Sequence, residues 1–267
     1  MEKNLKRLGV FGIISLLSYT AMVVFSPLAY PGYDWLSMAV SDLCAEGAPS
    51  EALASQLNAL FGPCALVSVM AVCVGITGCK VRPLKLGIYC FAAMEWVCNV
   101  GYEMFPWVSG ATATEPQNVM HYIVTVLIVV LSLAALILII IGAKGKNLTA
   151  LKIWAIICLA AMLIGPAGTA LLPKTVFGLF ERFGTFSAVV FNAVLGISMM
   201  KGTLYFPAFC CTGTQSRRVY CHCICQRLCG HHSAGLLYAA YHGTLWRPDK
   251  AGTGTVGFSA NEPLFQL

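Results

Sequence analysis

The sequence predicts an all-α, polytopic membrane protein: six transmembrane helices, a short amphipathic helix after the first, and a poorly ordered C-terminal tail. Two observations carry this. Of 267 residues, 58% are hydrophobic and 10% are charged, against about 25% charged in soluble domains. That is too little charge to cover a soluble protein of this size. The apolar residues also gather into runs of roughly 20, the length a helix needs to cross a hydrocarbon core about 30 Å thick.

The runs are residues 8–29, 52–78, 86–107, 119–143, 153–173 and 184–200, the last being the shortest. A soluble core helix keeps a polar face; five of these runs hold no charged residue, and only 86–107 contains acidic residues. The first has the basic start of a signal peptide. It is longer than such a peptide's apolar core, and Pro27 stands where a cleavage site wants a small residue, so it reads as an uncleaved span. Lys3, Lys6 and Arg7 precede the first run; Lys80, Arg82 and Lys85 separate the second and third; Lys144, Lys146 and Lys152 separate the fourth and fifth; Lys201 follows the sixth. Residues 30–51 and 109–118 contain no Lys or Arg, and the fifth loop has Lys174 and Arg182. Cytoplasmic loops carry the excess of basic residues, so both termini are expected to be cytoplasmic. The net charge of +6 is then a topology signal. It is spread over four loops, whereas nucleic-acid binding wants a basic patch on one face.

After the first run, Tyr30-Pro31-Gly32-Tyr33 reads as a turn with aromatics at the membrane interface. Trp35, Leu36, Ala39, Val40 and Leu43 then fall on one helical face opposite Asp34 and Ser41, the pattern of a short amphipathic helix on the outer leaflet. The order Tyr30-Pro-Gly-Tyr, Val40-Ser-Asp-Leu43, Gly47-Ala-Pro49, Asn58, Phe105-Pro106, His121 and Gly178-Leu-Phe-Glu-Arg182 resembles the family called domain of unknown function 998, over roughly residues 8–201. The family's usual glycine after Ser-Asp-Leu is Cys44 here, and its acidic residue after Phe-Pro is missing. The resemblance implies a six-helix integral membrane protein and supplies no reaction. It sets the domain boundary: residues 1–201 as the transmembrane domain and 202–267 as a separate tail.

Charges within a span are costly and face a bundle interior or a cavity. Glu95 lies near the middle of the third run and Glu103 near its outer end, and Asn99 between them shares their helical face. Asn58 and Asn192 are the polar residues on other spans that stand as partners for Glu95. Ser41, Asp42, Asn58, His121, Glu181 and Arg182 lie on or near the outer side. With Glu95, Asn99 and Glu103 they form the candidate lining of an outward-opening pocket. Gly62-Pro63 in the second run echoes Gly165-Pro166 in the fifth, the arrangement of Gly/Pro-interrupted helices in inverted-repeat transporters.

Seven cysteines are scattered singly through the first 201 residues, with no spacing that suggests a disulfide frame. In the tail, Cys221, Cys223, Cys225, Cys229, His231 and His232 are dense enough to suggest zinc. Their spacing matches no common zinc module, so no metal site is assigned.

Three functional classes remain. The first is an integral membrane protein that binds or senses a lipid or apolar small molecule. The second is a secondary transporter using Glu95 and the Gly-Pro helices. The third is an outer-leaflet hydrolase or transferase using Asp42, His121 and Glu103. Catalysis needs a nucleophile with a base, or a multi-ligand metal site, and the spans contain neither in recognisable form. The sequence therefore assigns no catalytic residue and no cofactor. It points to membrane lipid and a small-molecule ligand as partners, to no nucleic acid, and to the plasma membrane as location, and it leaves oligomeric state open.

Overall fold

The computed structural model describes residues 2–108, 112 and 114–206, within a unit spanning Met1–Phe209. The tail residues Cys221, Cys223, Cys225, Cys229, His231 and His232 lie outside the described residues. All regular structure among the described residues is helical: α1 Glu2–Arg7, α2 Val10–Phe25, α3 Glu51–Asn58, α4 Phe61–Gly75, α5 Arg82–Met104, α6 Pro116–Gly142, α7 Thr149–Leu171 and α8 Phe177–Met200.

Among the described residues five segments are long and apolar enough to cross a membrane: Glu2–Ala29, Glu51–Gly75, Pro116–Gly142, Lys146–Leu171 and Lys174–Met200. The helix α5 is also long, 23 residues or about 34 Å. Glu95, Asn99 and Glu103 make it the more polar exception. It is nonetheless held tightly. Gly87 of α5 lies against Ile139 and Ala135 of α6, Gly101 against Val124, and Gly142 of α6 against the Leu84 backbone. Small residues at these three crossings let the two backbones approach closely.

The helices pack in the order α2, α4, α5, α6, α7, α8 around the bundle, and α8 also touches α2 and α4. The main core gathers Val72, Ile88, Phe91, Leu136, Phe191 and Met199 from four helices. Phe91 and Phe191 meet edge to face at 5.2 Å. A smaller cluster of Tyr19, Met22, Val40, Leu43 and Val189 lies beneath the loop after α2.

The second apolar run is not one helix. It breaks at residues 59–60 between α3 and α4, because Pro63 has no N–H to offer the Ala59 carbonyl. Two α2 hydroxyls take over at the break: Ser15 donates to the Phe61 carbonyl (2.9 Å) and Ser18 to the Leu57 carbonyl (2.6 Å). The other Gly-Pro pair behaves differently, and α7 runs through Pro166 unbroken.

The amphipathic helix expected after the first span does not form. Residues 34–38 make a turn, and only Ser41–Leu43 closes a single 3-10 turn. Asp34 caps the turn, accepting from Leu36 N and Ser37 N (3.2 Å each). Carboxylates then take the next two backbone N–H groups that a continuing helix would use: Asp42 accepts from Ala39 N (2.9 Å) and Glu181 from Val40 N (2.6 Å). Such local bonds compete directly with helix formation. The apolar set divides accordingly: Ala39, Val40 and Leu43 are buried, while Trp35 and Leu36 are exposed.

At the other end the chain stays packed beyond Lys201. Leu204 is fully buried, Phe206 N donates to the Gly75 carbonyl (2.7 Å), and Gly78 N donates to the Phe206 carbonyl (3.0 Å). Lys6 Nζ, besides its ion pair with Glu2 (2.7 Å), sits 4.9 Å over the Tyr205 ring. These contacts bring α1, the α4–α5 turn and the end of α8 to one basic end of the bundle.

Candidate functional site

The nine candidate residues separate into three places and two outliers. The deepest place is Glu95, 3% exposed in the α5 face that meets α8. Asn192 Nδ2 donates to Glu95 Oε1 at 2.9 Å and to the Ala65 carbonyl of α4 at 3.3 Å. Asn99, one turn along α5, donates from Nδ2 to the Glu95 carbonyl (2.8 Å) and reaches Oε2 at 3.4 Å. The Asn99 amide oxygen lies against Gly62, next to the α3–α4 break, where a Cβ would collide with it. Of the two partners the sequence offered, Asn192 binds Glu95. Asn58 is half-buried at the end of α3, and its Oδ1 is buried without a partner.

The second place is at the acidic end, where Arg182 is 8% exposed near the start of α8. Its Nη1 donates to the carbonyls of Gly178 (2.6 Å), Trp35 (2.9 Å) and Met38 (3.2 Å), and Nη2 donates to the Tyr33 hydroxyl (2.6 Å). The guanidinium also stacks over Trp35 at 4.8 Å. Tyr33 passes its own proton to the Ala39 carbonyl (2.7 Å), and burial pushes its phenol up to about 12, so it remains a donor. Glu181 and Asp42 hold Val40 N and Ala39 N, and Ser41 opens the 3-10 turn beside them. Asp34, fully exposed, is held below the usual carboxylate range by the Ser37 hydroxyl and then by Leu36 N–H. Arg182, Glu181, Asp42 and Ser41 thus converge, but on the loop backbone rather than on open space.

The third place is His121 at the start of α6. A carbonyl can only accept, so His121 Nδ1 donates to Phe105, tying down the end of α5 at 2.9 Å. Its ring stacks on Tyr102 (4.8 Å) and meets Trp107 edge-on (5.7 Å). Glu103 is exposed. Asp42, His121 and Glu103 are therefore engaged separately, with no hydrogen bond among them. Among the described residues no three His, Cys, Asp or Glu side chains stand close enough to hold a metal ion.

Sequence reasoning missed the groups that complete these places: Tyr33 and Trp35 around Arg182, the Ala65 carbonyl beside Asn192, and Ser15 and Ser18 at the helix break. A signal existed for the serines, since two hydroxyls three apart in an apolar helix lie on one face. A groove of about 440 Å³ runs between α7 and α8, lined by Trp154, Ile157, Ala161, Phe183 and Val190, and it borders the second place at Arg182.

No curated protein and no solved structure matches this chain. A family profile described as protein of unknown function, DUF998, matches residues 13–198, the region that contains every helix from α4 to α7, most of α2 and α8, and all nine candidate residues. The chain belongs to the DUF998 family.

Proposed function

We propose that this is a six-span integral membrane protein of the plasma membrane that binds or senses a lipid, or an apolar molecule of similar shape, in the groove between α7 and α8. In this reading α5 is the sixth span and the basic end of the bundle faces the cytoplasm, with both termini on that side. The observation that carries the binding site is the groove itself. Its volume of about 440 Å³ falls within the range of ligand sites, about 300–1,000 Å³. Its wall is aliphatic and aromatic, and it opens along helices whose exposed apolar residues (Ile153, Ile156, Leu163) suit hydrocarbon. An acyl chain lies along Ile157, Ala161 and Val190, and the aliphatic part of Arg182 closes one end of the wall.

The test is to fill the groove. Native mass spectrometry of the purified full chain is expected to show one retained lipid-sized adduct, reduced at least about threefold in Ala161→Phe, a loss of the order of one interrupted apolar contact. Equal adduct retention by both proteins would show the groove to be ordinary bilayer surface. The mass of the adduct distinguishes a lipid from another apolar molecule.

A further inference from the structure

We propose that Glu95, with Asn192 and Asn99, forms a binding site for a small monovalent cation, a sodium ion or a proton, beside the break in the second apolar segment. The inference does not depend on the α7–α8 groove. Glu95 is 3% exposed, and both its oxygens accept hydrogen bonds from neutral amides. Among the described residues no Lys or Arg nitrogen comes within 4.0 Å of it, and the ion pair they contain joins Lys6 to Glu2. Neutral amides orient a carboxylate without removing its charge, and a buried charge persists only when paired, metal-bound or neutralised. Something positive therefore belongs at this position.

The surroundings show where it binds. Asn192 Nδ2 stands between two oxygens, Glu95 Oε1 at 2.9 Å and the Ala65 carbonyl at 3.3 Å. On the same amide group, Asn192 Oδ1 is buried with no partner, and Asn192 as a whole is 1% exposed. Turning the amide by half a rotation brings Oδ1 to face Oε1 and the Ala65 carbonyl. Three oxygens facing one point repel one another unless a cation lies between them, and oxygen ligands are what hard cations take. The site thus has two arrangements of one side chain. In the empty one, Nδ2 donates to the carboxylate; in the occupied one, Oδ1 joins it as a ligand, or accepts the proton that Glu95 carries. Among the described residues the groups around Glu95 are uncharged: Asn192 from α8, with the Ala65 carbonyl of α4 on the same amide nitrogen, and Asn99 on its own helix, whose amide oxygen lies against Gly62. Cys98 is the neighbouring titratable group on α5. Asn99 and the half-buried Asn58 extend the polar surface along the helix break toward the acidic end. Discontinuous helices beside a buried polar centre are the setting of ion sites in membrane proteins.

The test compares the full chain and Glu95→Gln in nanodiscs of neutral lipid, following the melting temperature as sodium chloride replaces choline chloride at two pH values. A site occupied tenfold above its Kd raises the wild-type melting temperature by about 3–6 °C, and Glu95→Gln responds to neither variable. A sodium site follows sodium at either pH; a proton site follows pH and ignores sodium. A wild type indifferent to both, or a Glu95→Gln protein that follows it, overturns the proposal. Should Glu95→Gln fail to fold, infrared difference spectra of the wild type decide the matter. A carboxyl band that shifts on sodium exchange at fixed pH, or a protonated-carboxyl band that persists at about pH 7 where exposed carboxylates are ionised, marks the site, and the absence of both overturns it.

Discussion

Replacing Arg182 with lysine keeps the charge and removes the fork. Arg182 binds three carbonyls through Nη1 and the Tyr33 hydroxyl through Nη2, and its plane covers Trp35. A lysine places three donors on one atom at the end of a flexible stem, so it cannot serve the carbonyls and Tyr33 together or stack in the same way. Hydrogen bonds to a charged donor contribute about 1.5–3 kcal/mol each, and a partly desolvated cation–π contact adds about 0.5–2 kcal/mol. These do not sum, because the loop can lift away and let water solvate the freed carbonyls of Trp35 and Met38. The net cost is then about 3–4 kcal/mol, and at roughly 2–4 °C per kcal/mol the melting temperature falls by about 6–16 °C. Hydrogen exchange locates the damage. Ala39 and Val40 amides, which bond to Asp42 and Glu181, lose protection, while amides in the middle of α6 and α7 keep theirs. A lysine variant melting within about 2 °C of wild type, with Val40 still protected, would refute the idea that one guanidinium holds this loop to α8.

Two further predictions concern the ends of the bundle. Cys44 is exposed as a residue, yet its sulfur lies 3.8 Å from Met22 Sδ, and burial of the sulfur, reinforced by Glu181, pushes its thiol up to about 11. The thiolate is the reactive form, so two units above an ordinary thiol mean about 100-fold slower maleimide labelling at neutral pH. The rate should keep rising with pH to about 11, and a plateau near 9 would contradict this. At the basic end, a chain ending at Phe206 should be more stable than one ending at Gly202 by about 2–5 kcal/mol, the cost of losing a buried leucine. Denaturant titration of the two chains in detergent checks it, and equal midpoints would show that Leu204 and the Phe206 backbone bonds contribute nothing.

The helices were legible because long apolar runs are a one-dimensional signal. The Glu95–Asn192 pair was legible for the same reason: few polar residues occur at that depth, and one of them had to meet the carboxylate. The loop after α2 was not. Its apolar spacing fits a helix, but the Ala39 and Val40 backbone donors went to Asp42 and Glu181, and Glu181 is remote in sequence. The single pocket expected to unite Asp42, Glu95, Glu103 and His121 was illegible for a related reason. Helical faces tell which way a residue points within its own helix, not which neighbour it meets, and His121 meets Phe105 and Tyr102 instead. The boundary at Lys201 was set by the resemblance, whereas packing of Leu204 and Phe206 on α4 extends the bundle past it.

The account depends most on α5 crossing the membrane with Glu95 inside it, since α5 is the long helix that falls short of the apolar character of the other five. In a background with all 13 native cysteines replaced by serine or alanine, single cysteines at Ser37→Cys, Val81→Cys, Glu115→Cys and Lys146→Cys would be probed on intact cells with an impermeant thiol reagent. Six spans with cytoplasmic termini predict labelling at 37 and 115, and labelling at 81 and 146 only after permeabilisation. Protection of 115 together with 81 would place both ends of α5 on one side of the membrane and contradict the account.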